Sequence, residues 1–131
     1  MARADHEQKN LDFQIAFFEG ILQQEPNLVD VLIPLGDAYT KRGLYEKGLE
    51  VDLRLSRLRP GDPSVLYNLA CSYSLLKQIE PGLEALEKAL SLGYDEFSFL
   101  MSDPDLESLR KEPQFKKLVE RYRKKRQKRS S

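Results

Sequence analysis

The chain has 131 residues, of which 40% are hydrophobic, and its formal net charge is zero. This length supports one modest hydrophobic core, and this composition excludes an intrinsically disordered chain. The sequence has no apolar run near the roughly 20 residues that a membrane-spanning helix needs. Its single cysteine excludes an internal disulfide and a cysteine-cluster metal site.

The two ends of the chain are polar and differ in charge. The first ten residues lack the apolar core of a secretory signal, so we expect a cytoplasmic protein. We also expect no cofactor and no metal ion. From Arg110 onward there are eleven Lys or Arg and two acids, whereas the residues before it include ten basic and nineteen acidic side chains. An acidic body with a basic end can attract itself, a second copy or an anionic partner.

Seven helical segments and no strand are predicted, because apolar residues recur at helical spacing along the chain. Residues 1–10 form a polar segment, and a leading helix over residues 11–26 ends at Pro26. The second helix stops near Gly43, and the third ends at Pro60. The apolar stripes of these three helices are Leu11, Ile15, Phe18, Ile21 and Leu22; Leu28, Leu32, Leu35 and Tyr39; and Tyr45, Leu49, Leu53, Leu55 and Leu58.

The fourth helix is predicted to begin near Ser64, and the fifth to stop at Gly93, a residue suited to a left-handed helix end. Their stripes are Leu66, Leu69, Ala70 and Tyr73; and Ile79, Leu83, Leu86, Ala89 and Leu90. The loops between the predicted helices have about two to five residues, so consecutive helices should be antiparallel neighbours.

Residues 97–122 are predicted to form a C-terminal cap on the helices before them. An apolar cluster at its start (Tyr94, Phe97, Phe99, Leu100 and Met101) is interrupted at Asp103, because Pro104 disfavours a helical conformation there. A short helix over residues 105–111 and a last helix from Pro113 should follow. The stripe of the last helix is Phe115, Leu118, Val119 and Tyr122. Residues 123–131 form a basic tail that should project into water.

The residues from Val29 to Glu96 repeat with a period of 34. The coinciding pairs are Leu32 and Leu66, Leu35 and Leu69, Gly36 and Ala70, Tyr39 and Tyr73, Gly48 and Gly82, Leu49 and Leu83, and Leu58 and Leu92. A fixed repeat of this length is typical of stacked helix pairs, which cannot bury their apolar faces alone. The units are residues 29–62 and 63–96.

The pattern Leu32-x2-Leu35-Gly36-x2-Tyr39, followed by Gly48 and Pro60, resembles the tetratricopeptide repeat (TPR). The second copy has Leu66-x2-Leu69-Ala70-x2-Tyr73 with Gly82 and Ala89, and residues 11–26 fit a half repeat. The chain is identified as a small member of bacterial type with a C-terminal capping segment. The resemblance implies an all-α superhelix of stacked antiparallel hairpins with one concave wall. It also implies small residues where the paired helices cross.

Three positions depart from the family pattern. Asp52 stands where the second helix usually has a large apolar residue. Pro34 lies within the first helix of the first unit, where it removes a backbone hydrogen bond at a cost of about 3 kcal/mol if it is interior. That helix should therefore start late, near Asp30, or bend at the proline. Tyr94 replaces the family's closing proline in the second unit, so the chain should leave the regular array there.

The resemblance assigns the concave wall to the first helix of each pair. The wall positions are Asp30, Ile33, Asp37, Thr40 and Lys41 in the first unit, and Ser64, Tyr67, Asn68, Cys71 and Ser74 in the second. The predicted function is non-catalytic: an adaptor whose wall binds a peptide, with Tyr67 as an aromatic anchor and Asn68 as a hydrogen-bonding amide. The alternative interpretation is a solvated face, or one filled by the chain's own leading helix.

The predicted peptide is basic or mixed in charge. Some family members hold acidic C-termini with a clamp of Lys, Asn and Arg, and here only Asn68 matches that clamp. Asp30 and Asp37 would repel a carboxylate.

The sequence contains no pattern of residues that would indicate an active site. Cys71 has no histidine near it in the sequence to activate it, and His6 lies in the polar start. Asp103, Asp105 and Glu107 lack the spacing and the distal Glu of a calcium loop, so capping of the helices after Pro104 is expected instead.

The basic tail supports two alternative functions. An anionic partner could contact Arg123, Lys124, Lys125, Arg126, Lys128 and Arg129. One alternative is a self-assembling homo-oligomeric scaffold that joins the tail to the acidic body of a second copy. The other is a nucleic-acid-associated protein, although Tyr122 is the only aromatic residue near the tail for base stacking.

Overall fold

The structure, a computed structural model, describes residues 2–130 and the side chains of residues 5–129, and the regular secondary structure of this part of the chain is helical, without a strand. The predicted all-α class of antiparallel helix hairpins is confirmed. The chain divides into two compact units, residues 1–58 (unit 1) and residues 59–131 (unit 2). The helices of unit 1 are α1 (Ala2–Gln24), α2 (Val29–Arg42) and α3 (Tyr45–Leu58).

Unit 2 contains α4 (Pro63–Leu75) and α5 (Ile79–Ser91), which pair as a hairpin, followed by a run of shorter elements. These are α6 (Phe97–Ser102), a 3₁₀ turn (Pro104–Leu106), α7 (Glu107–Arg110) and α8 (Pro113–Ser130). The short helix α6 was not predicted, because its six residues are too few to show a helical apolar pattern and no capping side chain precedes them. Residues 2–10, taken as a separate polar segment, continue α1 instead, and the end of the basic tail continues α8 as far as Ser130.

Local sequence signals fix several helix ends. Gly43 has a φ of +84°, and its N–H donates to the Thr40 carbonyl at 3.0 Å, which ends α2 where the sequence predicts. Asp62 caps α4: its carboxylate accepts the Ser64 N–H at 2.9 Å, and Pro63 follows as the first helical residue. Helix α2 begins at Val29, so Pro34 is interior to it.

Helices α2 and α3, which form the first hairpin, approach each other closely at small residues. In unit 1, a Cβ atom added to Gly36 would lie 3.2 Å from Val51 Cγ1 and 3.3 Å from the Asp52 carboxylate, and one added to Gly48 would lie 3.1 Å from the Thr40 hydroxyl. The Asp52 side chain, which is 7% exposed, lies over Gly36, where a larger residue would crowd its carboxylate. These contacts explain why glycine stands on both helices at the crossing.

The core of unit 2 is completed by the C-terminal elements. Leu100, Leu106, Leu109 and Phe115 are all 0% exposed, as are Leu86 and Ala89 of α5. The 3₁₀ turn and α7 contact α4, and α7 and α8 contact α5. Residues 97–122 are thus an integral part of the packing in unit 2.

Gly82→Ala is expected to lower the free energy of unfolding by about 1 kcal/mol. An added Cβ would lie 2.9 Å from Leu109 Cδ2 and 3.3 Å from Tyr73 Cβ. Overpacking of a buried site costs about 1–3 kcal/mol, and the gain in helix propensity over glycine returns about 1 kcal/mol. Urea denaturation measures the difference.

Gly20→Ala is the matched control for this substitution. Nothing lies within 4 Å of a Cβ at exposed Gly20, so only the propensity gain should remain, and stability should rise by about 0.5–1 kcal/mol. An equal gain at Gly82 would contradict the close contact with Leu109.

Candidate interaction surfaces

The predicted wall residues of α2 lie mostly in solvent. Asp30, Asp37 and Lys41 are exposed, and Ile33 is 47% exposed although it is a large apolar residue. Lys41 and Asp37 form an ion pair at 2.9 Å across one helical turn. Thr40 differs: it is half-buried, and its hydroxyl donates to the Gly36 carbonyl at 3.1 Å. The outward face of α2 therefore consists of two acids and a lysine around one exposed isoleucine.

The predicted wall residues of α4 divide into two groups. Ser64 and Asn68 are exposed. Tyr67, Cys71 and Ser74 are buried, with exposed fractions of 5%, 8% and 1%. The structure therefore differs from the prediction at these three positions, which do not line an open groove in unit 2.

The chain's own C-terminal elements cover Tyr67. Its ring stacks on Tyr94, with centroids 4.2 Å apart and planes inclined by 5°, and the Phe99 ring lies 6.1 Å away. The Tyr67 hydroxyl donates to the Asp103 carboxylate at 2.5 Å. The same carboxylate is 3.9 Å from the Cys71 sulfur and accepts the Asp105 N–H at 3.0 Å through its other oxygen. An aromatic residue and an acid thus occupy the place expected for a ligand.

The alternative interpretation, in which the chain's own leading helix fills the wall, names a different segment: in unit 2, the residues from Tyr94 to Asp103 cover these positions. The signal in the sequence was the apolar cluster around Phe97 and Phe99, which has no place in the 34-residue repeat. Apolar residues outside the repeat need a surface to cover.

Burial and hydrogen bonding perturb three tyrosines. Burial, followed by the hydrogen bond to Asp103, raises the pKa of Tyr67. Burial raises the pKa of Tyr94 to about 12, against the opposing effect of its hydrogen bond with Tyr67. In unit 1, burial raises the pKa of Tyr39, and the hydrogen bond that its hydroxyl donates to the Glu19 carboxylate of α1 acts in the same direction.

Alkaline pH is expected to destabilise the fold through these tyrosines. The unfolded chain loses each tyrosine proton near pH 10, whereas the folded chain retains it. The stabilisation is therefore complete below the unfolded pKa and is lost as the pH rises above it, by up to about 1.4 kcal/mol per pH unit for each tyrosine. Tyr67→Phe should make the decline above about pH 10 less steep. Identical slopes in urea denaturation would contradict this coupling.

The cations of the predicted tail lie along α8, and several meet acids or rings of unit 2. Arg126 pairs with Asp95 at 2.6 Å, and the Arg123 guanidinium lies 3.9 Å from Glu120 and 5.7 Å from the centre of the Phe97 ring. A cavity of about 340 Å³ beside these pairs is lined in part by Tyr94, Phe97, Tyr122, Lys125, Arg126 and Arg129. Part of the basic charge is thus balanced within unit 2, although all six of these cations except Arg123 are exposed.

Two phenylalanines of α1 lie outside the predicted apolar stripe. Phe13 is 74% exposed and Phe17 is 59% exposed, and the Phe17 ring makes an edge contact with Phe18 at 5.8 Å. The other side of α1 packs on α2, where Asp12 binds Arg42 at 2.8 Å and Glu19 accepts from Tyr39. The 34-residue repeat could have drawn attention to these residues, because it aligns Phe17 with Val51 of α3.

Within residues 2–130, no helix is both long enough and apolar enough to cross a membrane. In the same part of the chain, the structure brings together no group of three or more His, Cys, Asp or Glu that could hold a metal ion. His6 is exposed on α1, and Cys71 is buried against Asp103.

The chain is similar to segments of two longer proteins. It is 44% identical over 90 residues to a protein of Arabidopsis thaliana that is named as chloroplastic, and 36% identical over 86 residues to "Tetratricopeptide repeat protein 13" of Homo sapiens. The matches cover 66% and 62% of this chain but 27% and 10% of the two relatives. The chain therefore spans about a quarter of one relative and a tenth of the other.

No family model matches the chain. The similarity to a tetratricopeptide repeat protein and the paired helices of both units nevertheless agree with each other. Together, they fit a tetratricopeptide-like helical repeat fold.

Proposed function

We propose that the chain is a non-catalytic protein-interaction module, and that the outward face of α2 binds a peptide segment of basic or mixed charge. The observation that carries this proposal is Ile33, which is 47% exposed between two exposed acids, Asp30 and Asp37. Residues 30, 33, 37 and 41 recur at helical spacing, so they share one face of α2. An apolar centre with a polar rim is the usual arrangement of a protein–protein interface.

The charge of this face determines the class of peptide. Asp37 is neutralised in part by Lys41 at 2.9 Å, whereas Asp30, in the first turn of α2, interacts favourably with the positive end of the helix dipole. Incoming Lys or Arg side chains would meet two carboxylates, and an incoming acid would be repelled. The assignment of Ser64 and Asn68 of α4 as polar contacts stays a prediction.

The proposal includes no chemical step. Cys71 is buried against a carboxylate, and a cysteine nucleophile normally needs a base or a cationic neighbour. The cytoplasmic location expected from the sequence remains a prediction, and the word "chloroplastic" describes the plant relative alone.

The proposal is tested by selecting peptides from a random display library on the intact chain. Peptides enriched on the natural chain should combine Lys or Arg with an apolar residue. Selection on the Asp30→Lys, Asp37→Lys double variant should enrich acidic peptides instead, because the sign of the field at the surface is reversed. Isothermal titration of the selected peptides should show at least a tenfold loss of affinity on the reversed surface, equal to about 1.4 kcal/mol.

Two control variants separate charge at this face from charge in general. Glu25→Lys with Glu84→Lys reverses two exposed acids outside the α2 face and should leave the selected peptides unchanged. Ile33→Gln should weaken all selected peptides without changing their charge. Peptides that bind both charge-reversed chains equally well would refute the assignment to α2.

A further inference from the structure

The apolar face of α8 becomes basic toward the C-terminal end of the helix. Phe115, Leu118 and Val119 are buried in the core of unit 2. At the same helical spacing of three and four residues, this face continues as Tyr122, Lys125, Arg126 and Arg129. These cations therefore lie on the same side of α8 as its core residues.

The same cations line a cavity of about 340 Å³. Its other lining residues belong to Tyr122, to the end of α5 and to the segment that joins α5 to α6. We call this space the α8 cavity, and its charged and aromatic lining includes Tyr94, Asp95, Phe97, Lys125, Arg126 and Arg129. Ligand sites have volumes of about 300–1,000 Å³, so this cavity suits a short extended segment better than a helix, which is about 10 Å across.

Positive charge exceeds negative charge in the α8 cavity. Among the lining residues that the structure describes, Lys125, Arg126 and Arg129 accompany one carboxylate, that of Asp95. The C-terminal end of α5 adds the equivalent of about half a negative charge. The cavity therefore complements an anion, and it has cations for more than one negative group.

An internal carboxylate already occupies part of the α8 cavity. Asp95 binds the Arg126 guanidinium at 2.6 Å, although the two side chains are 38% and 58% exposed. An ion pair that is open to solvent contributes little stability, so an incoming carboxylate can compete with Asp95 for Arg126. Lys125 and Arg129 are exposed as well and can bind further carboxylates.

The aromatic lining favours an aliphatic side chain over a nucleobase. The Tyr94 ring is stacked on a tyrosine of α4, and the Arg123 guanidinium lies 5.7 Å from the centre of the Phe97 ring. The Lys125 ammonium lies 4.9 Å from the centre of the Tyr122 ring. Each of the three rings thus has a face covered by another side chain, which leaves less of it for the stacking on which binding of single strands depends.

We propose that the α8 cavity binds an extended acidic segment of a partner protein, with an aliphatic residue between the acids. The carboxylates of this segment pair with Lys125, Arg126 and Arg129. Its aliphatic side chain contacts the half-buried rings of Tyr94 and Phe97. The cavity belongs to unit 2, so it is separate from the α2 face of the proposed function, and it takes ligands of the opposite charge.

The probe for this proposal is the peptide acetyl-Glu-Glu-Leu-Glu-Asp-amide. It is titrated into the intact ¹⁵N-labelled chain, and amide shifts are followed by NMR. We expect saturable shifts at Gly93, Asp95 and Phe97, with a dissociation constant on the order of 10⁻⁴ M, because each solvent-exposed ion pair contributes little. The control peptide has Gln and Asn in place of every Glu and Asp, and it should bind at least about tenfold more weakly because it keeps the size and loses the charge.

Three variants of the chain define the contact. Arg126→Gln with Arg129→Gln should weaken peptide binding roughly tenfold. Lys116→Gln with Lys117→Gln removes two exposed cations of α8 that do not line the cavity, and affinity should stay within about twofold. Asp95→Asn should instead strengthen binding about threefold or more, because it removes the internal competitor for Arg126. Circular dichroism checks that each variant is folded.

Any of four results would overturn the proposal. The first is no saturable shift at about 1 mM peptide, tenfold above the expected dissociation constant. The second is an equal loss of affinity for the two double variants, which would mean attraction to the general charge of α8. The third is tighter binding of a ten-residue thymidine oligonucleotide at the same amides, which would make nucleic acid the ligand. The fourth is concentration-dependent shifts of these amides without peptide, which would assign the cavity to a second copy of this chain.

Discussion

Asp103→Ala is expected to lower the free energy of unfolding by about 2–4 kcal/mol. The substitution removes the acceptor of the buried Tyr67 hydroxyl, and a buried donor without a partner costs about 1–3 kcal/mol. It also removes the cap of the 3₁₀ turn, where the carboxylate accepts the Asp105 N–H at 3.0 Å, for about 1 kcal/mol more. Urea denaturation followed by circular dichroism measures the loss.

Asp62→Ala provides the matched control for Asp103. Asp62 also caps a helix through two backbone N–H groups, but the hydrogen bonds recorded for its side chain include no buried hydroxyl, so about 1 kcal/mol should be lost. Tyr67→Phe should then have a smaller effect in the Asp103→Ala background than in the natural chain. Equal losses for the two aspartates would show that the Tyr67 contact adds nothing.

Phe115→Ala is expected to lower the free energy of unfolding by about 3–5 kcal/mol. Phe115 is 0% exposed in α8, and α8 packs on α5 and α7, so truncation leaves a large cavity inside unit 2. The effect would identify residues 97–122 as part of the core of this unit. Denaturation midpoints and slopes are measured in urea.

Phe99→Ala removes a side chain of the same size from the same C-terminal region. Phe99 is 52% exposed, and the centre of its ring lies 6.1 Å from that of Tyr67. The expected loss is no more than about 1 kcal/mol. A comparable loss at both positions would show that burial within the cap does not govern its stability.

The repeat pattern predicted most of the fold because its signals are local. Helix α2 ends at Gly43 and α4 follows Asp62-Pro63, where short-range hydrogen bonds and fixed φ angles decide the outcome. The small residues Gly36 and Gly48 marked the helix crossing in unit 1, since close approach leaves no room for a Cβ. Such features are encoded within a few residues of where they act.

The burial of Tyr67 could not be predicted from the same signals. Its partners, Tyr94 and Asp103, lie 27 and 36 positions later in the sequence, beyond the 13 residues of α4. Periodicity identifies which face of a helix is apolar, but it does not identify which distant segment covers a tyrosine at the border of that face. Helix α6 was missed for a related reason, because its six residues are stabilised by tertiary packing through Leu100.

Pro34 has a consequence for recognition at the neighbouring surface. Proline has no N–H, so the carbonyl oxygen of Asp30 lacks the donor that residue 34 would supply in an uninterrupted helix. That oxygen belongs to the first turn of α2, one turn before the exposed Ile33. Because this carbonyl oxygen can accept a further hydrogen bond, it favours a ligand with hydrogen-bond donors, such as an arginine side chain or a backbone N–H, over a ligand that has only acceptors.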